Sequence, residues 1–118
     1  MRHLKKGKKF NRKTGPRKSF LRNLACDLIR YEKIETTEAR AKAIRPQVEK
    51  LVTIAKGQTL AGRRLIMARL HNKDVAAKLF DEVAPRYLKR RGGYLRITKL
   101  ANFRKRDGVR TAFVEFVS

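Results

Sequence analysis

Both ends of this chain carry positive charge with nothing to offset it, and that limits where a core can form. Residues 1–22 hold ten Lys and Arg and no acid, and residues 86–106 hold nine and no acid. Residues 27–82, between them, hold twelve bases against eight acids, close to the balance of an ordinary soluble domain. The net charge of +22 would drive the two basic blocks apart in a free chain. Phosphates remove that repulsion and release counterions, so a polyanion is the expected partner. At 118 residues one domain is expected. A chain of this size buries roughly two-thirds of its unfolded surface without help from metals or disulfides.

Cys26 is the only cysteine, which rules out an internal disulfide and suits a reducing compartment. No apolar run approaches the roughly 18 residues of a membrane span. The N-terminal segment lacks the apolar stretch of a secretory signal. Gly7, Gly15 and Pro16 would break the amphipathic helix of a mitochondrial presequence.

Periodicity divides the chain into an arm and a domain. Residues 1–16 have glycines, like charges and no helical period, and read as an extended arm that orders only against phosphates. Residues 17–118 read as one α+β domain. Phe20, Leu21, Leu24, Ala25, Leu28 and Ile29 recur at helical spacing after Pro16. Residues 33–37 form a brief strand. Thr37 caps a helix with Ala41, Ile44, Val48, Leu51 and Ala55 on one stripe, stopped by Gly57. Pro46 should kink or split that helix near residues 44–45, and the unbroken apolar phase favours a kink. Thr59 caps a helix over residues 60–70. Asn72 caps another over residues 73–83, which Ala84-Pro85 ends. Alternation over residues 94–100 and 111–117 predicts an antiparallel hairpin with Ile34's strand beside it, helices covering one face. The expected architecture is a small two-layer α+β domain: helix, strand, three helices, two strands.

The cations define the candidate contact residues. In the arm these are Arg2, His3, Lys5, Lys6, Lys8, Lys9, Asn11, Arg12 and Lys13; His3, Asn11 and Arg12 can also pair with base edges. Arg17, Lys18 and Arg22 occupy the outer face of the first helix. The second block supplies Arg86, Lys89, Arg90, Arg91, Gly92, Gly93, Tyr94, Arg96, Lys99, Arg104, Lys105 and Arg106. Paired glycines let a backbone approach a phosphate closely, and Tyr94 can stack on a base among the guanidiniums. Tyr87 fits a base contact and a core position equally well.

Catalytic and metal chemistry find no support. Cys26, His3 and His71 have no zinc-ligand spacing, and Cys26 lies on an apolar helix face as a packing residue. The histidines have no Ser, Cys or acid partner at a catalytic spacing, and no phosphate-binding loop motif occurs. Glu32, Glu35 and Glu38 straddle a strand and a helix start, and Glu38 reads as dipole compensation. No cofactor, small-molecule substrate or membrane partner is implied. DNA binding is the main alternative, because residues 60–83 could form a helix-turn-helix. Its second helix, however, bears Asp74, Asp81 and Glu82 against Lys73 and Lys78, the wrong charge for a major-groove reader. Bases held in an arm and a loop suit the crevices of folded RNA better. A basic membrane-surface protein, lacking an amphipathic anchor or lipidation signal, comes third.

Four separated segments carry a resemblance: MRHLKKGKKFNR at 1–12, IETTEARAK at 34–42, LFDEVAPRY at 79–87 and RGGYLRI at 91–97. In order and spacing they resemble the family of bacterial ribosomal large-subunit protein seventeen, essentially end to end. Gly15-Pro16 stands where that pattern has Ser-His, and Tyr31 where it has His. The resemblance implies a structural protein bound to large-subunit ribosomal RNA, near the peptide tunnel exit, with other ribosomal proteins as neighbours in the cytoplasm.

Overall fold

The structure, a computed structural model, describes residues 9–118, with only the backbone at Asn102. Residues 1–8, and with them the candidates Arg2, His3, Lys5, Lys6 and Lys8, lie outside the described part. The elements run α1 (Thr14–Tyr31), β1 (Lys33–Thr37), α2 (Glu38–Lys56), α3 (Leu60–Leu70), α4 (Lys73–Lys78), β2 (Leu95–Phe103) and β3 (Arg110–Phe116). A π-helical turn (Leu79–Val83) and a 3₁₀ turn (Ala84–Tyr87) follow α4.

Helix α1 opens at Thr14, so residues 14–16, expected in the arm, form its first turn. Pro16 fits there because the first N–H groups of a helix have no intrahelical acceptor. The three expected caps are in place. Thr37 Oγ1 accepts from the Arg40 amide at 3.2 Å, and Thr59 Oγ1 from Gly62 at 3.0 Å. Asn72 Oδ1 accepts from Asp74 and Val75, each at 3.1 Å. Helix α2 runs unbroken through Pro46. It ends at Lys56 as expected, yet Gly57 stays right-handed and Gln58 takes the left-handed turn with φ 53°. Gly62 is required by close approach: a Cβ there would meet Thr59 Oγ1 at 3.0 Å and the Ile54 carbonyl at 3.2 Å.

The antiparallel sheet has the order β1-β3-β2, so the last strand lies between the other two. Ile34 and Ile97 both pair with Val114, and Leu95 with Phe116. This register turns Ala112, Val114 and Phe116 to the helices, where α2 packs against all three strands. Helix α3 packs on α1, α2 and α4 rather than on strands. Leu28, Ile29, Ile44, Val48, Val52, Ile66, Leu79, Val83 and Val114 are sealed in the core, each of the larger aliphatics contributing roughly 1.5–3 kcal/mol of burial. β2 extends three residues beyond its expected end. A register irregularity between Lys99 and Phe103 lets Phe103 pair with Arg110 and shortens the connecting loop.

Candidate nucleic-acid interface

The second basic block is continuous in sequence and divided in space. β2 carries it about 30 Å from one end of α2 to the other. At the α2 C-terminus, Lys56 Nζ donates to the Arg90 carbonyl and, at 2.7 Å, to Tyr94 Oη. Glu49 Oε2 accepts the Tyr94 amide at 2.9 Å. These bonds fix the Gly-Gly loop against the helix and leave Lys89, Arg90, Arg91, Gly92 and Gly93 exposed. Gly93 has φ +62°, which an L side chain adopts only with strain, and nothing lies within 4 Å of a Cβ at Gly92 or Gly93. A phosphate therefore has open access to this backbone.

Lys99 and Arg104, further along the block, lie at the α2 N-terminus. Lys99 Nζ is 3.5 Å from Glu38, and Arg104 lines a groove with Arg40, Thr37 and Thr111. The first basic block meets it there. The Arg12 and Arg40 guanidiniums sit over the Phe20 ring at 4.0 and 4.9 Å, and Phe10 packs on the same ring at 5.6 Å. Lys9, Asn11 and Lys13 are exposed beside them. Gly108, at φ +63°, turns the β2–β3 loop that exposes Lys105 and Arg106.

Ion pairs divide the candidates further. Arg86 is bound to Glu32, Arg96 is 4.0 Å from Glu115, and Arg104 pairs with Asp107 at 2.5 Å. With Lys99 on Glu38, four of the candidate cations thus face intramolecular carboxylates. Among the described residues Lys9, Arg12, Lys13, Arg17, Lys18, Arg22, Lys89, Arg90, Arg91, Lys105 and Arg106 have no carboxylate within 4.0 Å. The Arg86 hydrogen bond is the main reason Glu32 titrates below the usual carboxylate range. Burial opposes it, and the neighbouring Lys78 adds to the lowering.

Tyr94 corrects the expectation of a base-stacking ring. It is 1% exposed, its ring 5.3 Å from that of Tyr87. Both rings pack into the core because the chain must turn from the 3₁₀ segment into β2 over the end of α2. Tyr87 is likewise a core residue, 4% exposed, its Oη donating to the Val117 carbonyl at 2.5 Å. Cys26 is buried and its thiol pushed upward by desolvation, as a packing residue should be. Among the described residues no group of three or more His, Cys, Asp and Glu side chains could hold a metal. Sequence reasoning missed Arg40, which joins both basic blocks. Its proximity to a predicted cap was the only signal, and that says nothing about the arm.

A family model described as ribosomal protein L17 matches residues 20–117. The large ribosomal subunit protein bL17 of Thermomicrobium roseum is 49% identical over 118 residues, covering 100% of both chains. That of Persephonella marina is 52% identical over 118 residues, covering 99% of this chain and 95% of its own. Both relatives therefore align over the basic arm as well as the domain.

Proposed function

We propose, because this chain belongs to the ribosomal protein L17 family and is therefore a structural constituent of the large ribosomal subunit rather than an enzyme, that it pins separate segments of large-subunit ribosomal RNA together. Its place in the cytoplasm follows from that of the ribosome. The observation that carries the reading is the separation of acid-free cations to the two ends of α2, a helix about 28 Å long. The Gly-Gly loop supplies Lys89, Arg90 and Arg91 at one end. Lys9, Arg12 and Lys13 with Lys105 and Arg106 supply the other. In the sequence before Lys9, Arg2, Lys5, Lys6 and Lys8 are further cations for phosphate, and His3 offers an imidazole for base edges. A rigid helix between two cationic ends holds two phosphate backbones at a fixed spacing and cancels their mutual repulsion. Phosphate contacts then dominate affinity, and RNA shape dominates specificity. The position near the peptide tunnel exit and the neighbouring ribosomal proteins follow from the family resemblance.

Competition at moderate salt tests the reading. Folded large-subunit RNA should displace a labelled RNA fragment from the full chain far more effectively than duplex DNA of equal phosphate content. Equal competition by DNA would favour a DNA-compacting role instead.

A further inference from the structure

We infer that the cleft between α1, α2 and the end of α3 is a third phosphate-binding site, which seats the sugar-phosphate backbone of a single RNA strand. The inference rests on the RNA-bound reading above but concerns a different face, the helical side of the molecule. The cleft measures 380 Å³, and its cations come from three helices. Lys18 and Arg22 stand one turn apart on α1, Lys50 comes from α2 and Arg69 from α3, with the His71 imidazole at the end of α3. Gln47 adds an amide donor, and no acid lines the cleft. Its floor is apolar, formed by Ala25, Leu51 and Leu70.

Half of the twelve bases in the charge-balanced middle are already ion-paired. Arg30, Lys33, Lys42, Arg45, Arg63 and Lys78 each have a carboxylate within 4.0 Å. Lys50 and Arg69, like Lys18 and Arg22, have none among the described residues, and residues 1–8 contain no acid. Four like charges around a concave surface concentrate field there and attract an anion. The C-terminal dipole of α3 opposes an anion, but a half-charge at one helix end is outweighed by four full cations. His71 is held in the left-handed conformation, φ 53° and ψ 25°, by its amide bond to the Met67 carbonyl at 2.9 Å. An imidazole can donate to a phosphate oxygen in either protonation state.

The shape selects a single strand. A duplex is too broad to enter so small a concavity, whereas a lone strand can lay ribose on the apolar floor and phosphates on the cationic rim. An adjoining groove shares Arg22, Leu70 and His71 and continues past Asn23 towards Arg30. Its one acid, Asp27, lies 4.0 Å from Arg30 and is partly neutralised. The strand therefore has a path along α1 as well as a seat.

Amine-reactive footprinting of the full chain reads Lys18 and Lys50 directly, free, on protein-free folded large-subunit RNA, and in intact large subunits. Reactivity at both lysines should fall several-fold in both complexes. Protection in intact subunits but not on bare RNA means that a neighbouring protein fills the cleft, and overturns the proposal. So does full reactivity in intact subunits. The double variant K50Q/R69Q gives a second reading. Both residues are surface positions, so the melting temperature should hold while the log–log salt slope of RNA binding drops by about 1.4. An unchanged slope overturns the cleft alone; failure of the RNA reading itself would appear in the unaltered chain, as equal binding of duplex DNA.

Discussion

Glu32 joins α1, α4, the 3₁₀ turn and β3. It closes α1 in the left-handed conformation, φ 63°, with its amide on the Leu28 carbonyl at 2.7 Å. Its carboxylate takes Arg86 and, at 3.5 Å, Lys78, and its carbonyl accepts the Phe116 amide at 3.1 Å. Because its folded-state pKa is depressed, its contribution to stability is present above about pH 4.3 and is lost as pH falls through the lower folded value. No local pattern announces this role, since Arg86 lies 54 residues away. Tyr87 is a similar case. Its aromatic ring suits a base contact or a core, and only the fold selects the core. Burial raises its phenol, so the stability it supplies is intact below about pH 10 and is lost as pH rises through the raised folded value. Tyr87→Phe should lose about 1 kcal/mol at pH 7 with the bond to Val117. In urea melts at pH 10.5 that difference should narrow, because the variant has no phenol to ionise. A difference of the same size at both values would show that ionisation of Tyr87 plays no part.

At the scale of elements, the helices were legible because capping and periodicity are local. Thr37, Thr59 and Asn72 each accept the backbone amides that an N-cap should. The single predicted helix over residues 73–83 instead relaxes into a π-helical turn after Lys78. The widened turn sets Leu79, Phe80 and Val83 into the core, and the 3₁₀ turn then carries Pro85. That change answers to tertiary packing, which a propensity argument does not contain. β2 was underestimated for a related reason. The tripeptide at 101–103 has little strand character of its own and is held by pairing with Arg110 across the irregular register. Pro46 in α2 removes one helical hydrogen bond at an exposed position without ending the helix. Pro46→Ala should raise stability by about 1–3 kcal/mol, read as a higher denaturant midpoint with an unchanged slope. A lower midpoint would mean that the packing of α2 depends on the proline's geometry.

For the whole molecule, composition revealed the partner's chemistry and the sequence blocks revealed the family, but neither could say where the charges go. The 86–106 block reads as one patch along the chain; the length of β2 turns it into two, and the hairpin tip joins the N-terminal residues around Phe20 and Arg40. Nor could spacing foresee the cleft of Lys50 and Arg69, because their separation along the chain hides that α2 and α3 face one another there. The central claim is that cations at both ends of α2 hold phosphates at the same time. The most direct measurement is the salt dependence of binding to folded large-subunit RNA for R90A/R91A, for K105A/R106A, and for the four changes combined. Simultaneous engagement predicts that each pair lowers the log–log slope by about 1.4–1.8 and that the combined variant loses the sum. A combined variant no flatter than either pair, or one pair without effect, would contradict the account and leave a protein that grips RNA from one end.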